Sequence, residues 1–201
     1  MLIGSNVSPR SEAVKNFKTM KTIATGMIQR FDIGEEKTRV GFGAQKAESL
    51  LGRIDNNKLK ETLINDLSGV DMLSYGDVKT ALMFGLAALK EPSIQRKNPP
   101  SHFVKSIILF SDVALDNNVD DIIQVLGNRQ IKVIIVRVGN YKNKFEDDRL
   151  TSFGATIIDG TLDTSTVVEI GIGGTTPGKY LKFFVKLDLP GLVLWSIGLC
   201  I

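Results

Sequence analysis

The apolar stretches SIILF (Ser106–Phe110) and IKVIIVRV (Ile131–Val138) each run into a small polar turn. The first leads into Ser111 and Asp112, and the second into a Gly-Asn pair. Strands this apolar are buried on both faces, which is typical of a parallel sheet covered by helices. Ligands of such sheets bind beyond the carboxyl ends of the strands, so Asp112 is the first candidate functional residue.

Helical and strand patterns alternate along the rest of the chain. They predict an α/β fold with a doubly wound, mostly parallel sheet flanked by helices. The predicted helices are 13–31, 57–67, 77–90, 118–128, 145–153 and a weaker one at 164–170. The predicted strands are 1–5, 38–43, 48–54, 104–110, 131–138 and 155–158.

Three segments are expected in the domain organisation. Residues 1–170 are expected to form one α/β domain, and the alternatives are that the domain starts within this chain or that its extreme N-terminus is missing. Residues 171–179 are expected to form a Gly-rich linker. Residues 180–201 form an apolar tail of open role, in which the uninterrupted stretch 191–201 has about half the length that a bilayer-spanning helix needs. The alternatives for the role of this tail are a truncated membrane anchor, an interfacial segment, a stretch packed on the domain and an out-of-frame extension. The last two are favoured.

Composition narrows the class of protein. The chain has 201 residues, of which 43% are hydrophobic and 23% charged, as in ordinary globular proteins. A net charge of +3 and scattered lysines do not favour nucleic acid as a partner. The single cysteine, Cys200, excludes an internal disulfide and the zinc spacings. No signal peptide is visible, so either the protein is intracellular or the chain lacks its true start.

Four stretches, taken in order, resemble a known family. Phe31–Gly41 (FDIGEEKTRVG), preceded by Asn16-Phe17, resembles the helix-to-strand junction of von Willebrand factor A domains, especially those of matrix and adhesion proteins. Tyr75–Leu82 is similar to the Gly/Thr-rich loop and following helix of that family. Leu109–Asp112 is similar to its Leu-Leu-Thr-Asp strand end, and Val133–Gly139 to its next strand. The resemblance covers about residues 1–170.

The family implies a metal-ion-dependent adhesion site, whose first part is an Asp-x-Ser-x-Ser turn. In the preferred register Asn6 takes the place of the aspartate, Ser8 is kept, and Arg10 takes the place of the second serine. An alternative register keeps only Ser5. Without the family resemblance, Ser8 is interpreted as a helix cap in preference to a metal ligand. Asn6 fits a turn residue equally well. Arg10 is either solvated or paired with an acidic side chain.

The other two parts of that site come from later loops. The family's loop threonine falls at Gly76, with Asp77 beside it, while its strand-end aspartate is kept as Asp112, next to Ser111. Asp112 is read with equal weight as a functional residue or as a cap of its own turn. The residues expected to contact a partner are Arg10, Gly76, Asp77, Ser111 and Asp112.

Charge leads to the hypothesis that the site is degenerate. Magnesium prefers about six oxygen ligands, usually including one or two carboxylates. Asn6 contributes no negative charge, and Arg10 brings a cation, each a difference of about 1–4 kcal/mol at the dielectric of a protein surface. We therefore expect Mg²⁺ or Mn²⁺ to bind Asn6, Ser8 and Asp112 weakly or not at all, and no other cofactor.

The expected function is a non-enzymatic, protein-binding module. The resemblance implies an extracellular matrix or adhesion protein that engages a matrix or cell-surface partner through a surface we call the crest, made of Asn6–Arg10, Ser74–Asp77 and Ser111–Asp112. The alternative is an intracellular scaffold domain of the same fold in a multi-subunit complex. A nucleotide-binding enzyme is disfavoured, because no Gly-rich turn follows the first predicted strand. Membrane contact through 180–201 is left open.

Overall fold

The computed structural model describes residues 10–31, 33, 38–43, 59–70, 78–89, 103–159, 166–170, 181–185 and 193–199. Four expected site residues (Asn6, Ser8, Gly76 and Asp77) and two predicted strands (1–5 and 48–54) lie outside these ranges.

Helices and strands alternate as the sequence predicts. The helices are α1 (Arg10–Arg30), α2 (Lys60–Ser68), α3 (Val78–Ala88), α4 (Asp120–Asn128) and α5 (Lys144–Ser152), with a short 3₁₀ turn at Asn117–Val119 before α4. The strands are β1 (Arg39–Gly43), β2 (Phe103–Ser111), β3 (Ile131–Arg137), β4 (Ala155–Asp159), β5 (Thr166–Ile170), β6 (Leu181–Val185) and β7 (Val193–Leu199).

The sheet is buried on both faces, as its apolar strands require. On one face, Ile108 and Phe110 of β2 pack in a single core with side chains of α1 and α2. On the other face, Ile107 and Leu109 pack with α3, α4 and Leu150 of α5. Successive residues of one strand thus enter opposite cores, which gives three layers with the sheet in the middle.

The strand order places β2 and β3 side by side within the sheet. The five-stranded sheet has the order β1-β7-β2-β3-β4, and β2, β3 and β4 pair in parallel. In the β2–β3 register Ser111 lies opposite Arg137, so the two strands end at the same edge of the sheet. The residues that follow β2 and β3 therefore share that edge, as the strand-end rule anticipates.

The C-terminal tail contributes a strand to this sheet. β7 pairs antiparallel with β1 on one side and with β2 on the other. β1 and β2 therefore run in the same direction, with β7 reversed between them. Four of the five strands point the same way, which is the mostly parallel sheet expected from the sequence.

One predicted element is wrong. The segment predicted as a weak helix at 164–170 contains β5, which pairs antiparallel with β6 in a separate two-stranded sheet. Thr166, Val167, Val168 and Ile170 are β-branched, and such residues favour a strand over a helix.

The helix layer of α1 and α2 is joined by lysine contacts to helix ends. Lys21 Nζ of α1 donates to the carbonyl oxygens of Ser68 and Val70 at the end of α2, the latter at 2.8 Å. Lys60 Nζ of α2 donates to Gln29 O near the end of α1 at 2.9 Å. Carbonyls at helix ends lack partners within the helix, so these lysines satisfy them and fix the pair of helices.

The position of β7 is testable by cross-linking. Ser106 and Ser196 are Cα partners in the β2–β7 register, and opposite residues of antiparallel strands lie within disulfide reach. In a Cys200→Ser background, the pair Ser106→Cys and Ser196→Cys should form an intramolecular disulfide under mild oxidation, detected by non-reducing electrophoresis and mass spectrometry. The pair Ser106→Cys and Gly198→Cys, two residues out of register, should cross-link poorly. Equal yields from both pairs would contradict the register.

Candidate functional site

The structure places the predicted aspartate at the end of a central strand. Ser111 is the last residue of β2, and Asp112 follows it directly. Asp112 is partly buried, and Arg10, another expected contact residue, is the first residue of α1.

Asp112 is bound by Asn16, which the sequence analysis named only in the family resemblance and not as a site residue. Asn16 lies in the second turn of α1, is only 4% exposed, and donates from Nδ2 to Asp112 Oδ2 at 3.2 Å. This contact brings the first turns of α1 to the edge of the sheet that carries Asp112. The amide presents an N–H group to the carboxylate, so one carboxylate oxygen already has a hydrogen-bond donor.

The surroundings of Asp112 destabilise the ionised form of its carboxyl. Burial raises the pKa of Asp112 above its ordinary value, and repulsion from Glu12 acts in the same direction. The hydrogen bonds from Asn16 and from its own backbone oppose this rise, because they stabilise the ionised form. The net direction is upward, so the hydrogen bonds only partly compensate for the loss of water around the carboxylate.

The turn after β3 leaves space for Asn16. Gly139 has a φ of +77°, and a Cβ at this position would lie 2.7 Å from Asn16 Nδ2. A side chain there would be strained by its backbone conformation and would also collide with the amide that holds Asp112. The next residue, Asn140, donates from Nδ2 to Glu12 Oε1 of α1 at 3.5 Å. The turn after β3 thus packs against the same end of α1 as Asp112 does.

The hydroxyl of Ser111 serves its own turn. It donates to Val113 O at 2.8 Å and accepts from Val113 N at 3.4 Å. Ser111 is only 4% exposed. Its hydroxyl therefore shapes the loop after β2, and its expected contact with a partner stays a prediction.

A buried arginine fixes that loop. Arg137, the last residue of β3, is 3% exposed, and its Nη1 donates to Val113 O at 3.0 Å. Its Nε and Nη2 donate to Asp147 Oδ1 at 3.1 and 3.0 Å, and Nη2 also forms an ion pair with Glu146. The guanidinium lies 5.2 Å from the centroid of the Tyr141 ring. Arg137 therefore joins the end of β3, the loop after β2 and the first turn of α5.

Glu146 completes this arrangement from α5. It is 6% exposed, and its Oε1 accepts from the backbone N–H of Leu115 at 3.0 Å. Its Oε2 accepts from the Tyr141 hydroxyl at 2.6 Å. Burial and this hydrogen bond both raise the pKa of Tyr141, which keeps the hydroxyl as a donor. The carboxylate is thus paired and hydrogen-bonded on both oxygens, as a buried charge requires.

A second ion pair holds the far side of the same loop. Arg149 of α5 donates from Nη1 to both carboxylate oxygens of Asp120 at 2.7 Å and from Nη2 to Leu115 O at 2.7 Å. Asp120 begins α4, so this contact ties α4, α5 and the loop together. The sequence carried a signal for the first ion pair, since Arg137 interrupts an otherwise apolar strand and a charge buried there needs a partner.

The described residues were compared with the needs of a divalent cation, although Asn6 and Ser8 lie outside them. They contain no group of three or more His, Cys, Asp or Glu side chains able to hold a metal ion. Around Asp112, the amide of Asn16 turns a donor toward the carboxylate, and the Ser111 hydroxyl is engaged with its own turn. Within the same described ranges, no helix is long and apolar enough to cross a membrane.

The family of the chain follows from comparison with known proteins. The family model of the von Willebrand factor type A domain matches residues 10–157, and the chain belongs to that family. Domains of this family are typically non-enzymatic interaction modules. A search of curated proteins finds no match.

Among solved structures, the chain is similar to proximal thread matrix protein 1 from the mussel byssus. The TM-score is 0.50 at 17% sequence identity, and the match covers 73% of this chain. It covers 38% of the mussel protein, so the chain spans well under half of that protein's length. At this identity the similarity concerns the fold.

The packing of Gly139 against Asn16 can be tested with a matched pair of glycines. Gly139→Ala should lower the free energy of unfolding by about 1–2 kcal/mol for the left-handed backbone and by about 1–3 kcal/mol more for the collision with Asn16. Gly154 has a φ of +99°, and a Cβ added there would meet nothing within 4 Å, so Gly154→Ala should show the backbone cost alone. Urea unfolding measures both variants. Equal losses would contradict the close approach of Asn16 to Gly139.

The raised pKa of Asp112 gives a pH dependence of stability. The folded protein holds this proton more tightly than the unfolded chain does, so stability falls as pH rises from the ordinary value of 3.8 through the folded-state pKa. Asp112→Asn keeps an oxygen acceptor for Asn16 and removes the buried charge. It should therefore raise the melting temperature at pH 7, and the gain should disappear below about pH 3.8.

The control for this experiment removes a carboxylate from the surface. Asp148→Asn changes an exposed side chain of α5. A gain from Asp112→Asn that persisted at low pH, or that Asp148→Asn reproduced, would argue against burial as the cause.

Proposed function

We propose that this domain is a non-enzymatic module of an adhesion or matrix protein that binds another protein through the crest. The observation that carries the proposal is that Asp112, the crest residue after β2, meets the turn after β3 and a side chain of α1 at one edge of the sheet. Asp112 follows β2, Gly139 and Asn140 follow β3, and Asn16 reaches both from α1. In α/β sheets this edge is where ligands bind.

The rigidity of the loop after β2 supports a binding role for that edge. Arg137, Glu146 and Arg149 contact the backbone at Val113 and Leu115, on the side of the loop away from α1. A surface held in one arrangement before binding loses little conformational entropy when a partner docks. The loop after β2 is therefore suited to recognition by shape and by hydrogen bonds.

We further propose that binding depends weakly or not at all on a divalent metal. Asp112 has one oxygen engaged by Asn16, and burial raises the pKa of its carboxyl above the ordinary value. The sequence adds an asparagine at position 6 and an arginine at position 10, where the family pattern has an acid and a serine. Each of these features weakens the attraction for a cation.

The proposed setting is extracellular, with a matrix or cell-surface protein as the partner. This setting rests on the resemblance of Phe31–Gly41 to matrix-type domains. The structural similarity to a mussel byssus thread matrix protein agrees with it. The chain is accordingly expected to be one module of a matrix assembly.

Charge reversal tests the proposed surface. Labelled domain is applied to immobilised, solubilised extracellular matrix from the source tissue, and the apparent dissociation constant is measured with and without chelator. Asp112→Lys should weaken binding at least about tenfold, a loss typical of a central interface position, whereas chelator should change it little. Asp121→Lys, the same substitution at an exposed site on α4, is the control. Unchanged binding by Asp112→Lys would assign the partner to another face.

Calorimetry tests the metal hypothesis directly. Titration of the domain with MgCl₂ or MnCl₂ should show no binding in the micromolar range. Micromolar binding that Asp112→Ala abolishes would overturn the hypothesis, and the chelator would then reduce partner binding as well.

A further inference from the structure

Tyr141 is a side chain beside the binding edge to which the proposed function gives no role. It lies between β3 and α5 and is half-buried. Its hydroxyl donates to Glu146 Oε2 at 2.6 Å and accepts from Asn143 Nδ2 at 3.4 Å. Its ring centroid lies 5.2 Å from the guanidinium of Arg137. Within the described part of the chain, the hydroxyl has no hydrogen bond to the loop after β2, so any effect on that loop passes through a neighbouring side chain.

Glu146 is the side chain through which Tyr141 acts. Its Oε1 accepts from the backbone N–H of Leu115 at 3.0 Å and forms the ion pair with Arg137, which leaves Oε2 for the tyrosine. The terminal torsion of a glutamate side chain is broad, so the carboxylate turns readily unless both oxygens are held. The Tyr141 hydroxyl holds the second oxygen and thereby keeps Oε1 facing Leu115.

Leu115 is the point at which Glu146 reaches the loop that begins with Asp112. Its N–H donates to Glu146, and its carbonyl oxygen accepts from Arg149 Nη2 at 2.7 Å. Side chains of α5 thus bind both polar backbone groups of this residue. The Leu115 side chain is itself buried, so it fixes one point of the loop, and the two backbone contacts fix the direction of the chain there.

Arg137 provides a second route from Glu146 to the same loop. Its Nη2 pairs with Glu146, and its Nη1 donates to the carbonyl oxygen of Val113 at 3.0 Å. Val113 directly follows Asp112 in the chain. Because the guanidinium is rigid and planar, a shift of the carboxylate at Nη2 also changes the position of Nη1. The orientation of one carboxylate therefore bears on the backbone at both positions 113 and 115.

We propose that Tyr141 is a positioning residue of the binding edge: by holding Glu146 Oε2 it fixes the loop after β2 and so the direction in which Asp112 faces a partner. This proposal rests on the proposed function and adds a residue outside the crest. Tyr141 itself makes no contact with the partner. Its contribution is preorganisation, since a loop that must be ordered during binding lowers the affinity.

Tyr141→Phe tests the structural step without any partner, because it keeps the ring beside Arg137 and removes only the hydroxyl. In ¹⁵N NMR spectra the backbone amide of Leu115 should shift and exchange with solvent about tenfold faster, as expected when its acceptor is no longer held. The side-chain amide of Asn16, which binds Asp112 from α1, should shift as well. A purely local role of the hydroxyl would leave the Asn16 resonance in place.

The binding step is measured with immobilised, solubilised extracellular matrix from the source tissue, at a temperature where each variant is folded. Tyr141→Phe should raise the apparent dissociation constant about fivefold. Gly154→Ala is the control for lost stability. It precedes β4, at the end of the sheet opposite the crest, and a Cβ there meets nothing within 4 Å. This variant should bind as the wild type does and leave the Asn16 resonance unchanged.

The outcomes separate the two proposals. An unmoved Asn16 resonance in Tyr141→Phe overturns the positioning role, whatever the binding result. Shifted resonances with full binding, alongside weak binding by Asp112→Lys, overturn the role of Tyr141 in binding and leave the crest in place. Full binding by both variants, or a matrix preparation that retains no wild-type domain, overturns the crest and the binding role of Tyr141 together. Equal losses of binding from Tyr141→Phe and Gly154→Ala assign the effect to stability, which also contradicts positioning.

Discussion

The buried guanidinium of Arg137 constrains the edge of the sheet through contacts with three parts of the chain. An arginine that is 3% exposed must satisfy its donors within the protein, because water cannot reach them. Its partners come from three places: the backbone of Val113 after β2, and the side chains of Glu146 and Asp147 on α5. Satisfying one charge therefore sets the relative positions of a loop, a strand end and a helix.

The two helix layers meet through this edge. From one side, Asn16 of α1 binds Asp112 and packs against Gly139. From the other side, the α5 contacts of Arg137 hold the loop that begins with Asp112. Displacing either layer would move the aspartate, so its environment depends on side chains far apart in sequence. Partial burial at this edge raises the pKa of Asp112.

The fold class could be predicted from the sequence, because strands as apolar as β2 and β3 must be buried on both faces. Their alternating residues enter opposite cores, and the helices follow from apolar spacing. The same reasoning failed for β5, where a short β-branched run has no clear helical or alternating period and the pairing with β6 decides its structure. The place of β7 between β1 and β2 depends on pairing over long sequence distances, which local patterns do not encode.

The candidate site was predictable only in part, for a related reason. Asp112 could be found because it follows an apolar strand, whereas Asn16 is one polar residue among several on a helix, and only the fold brings it to the carboxylate. If recognition at this edge uses no bridging ion, its affinity must come from apolar and hydrogen-bonding contacts.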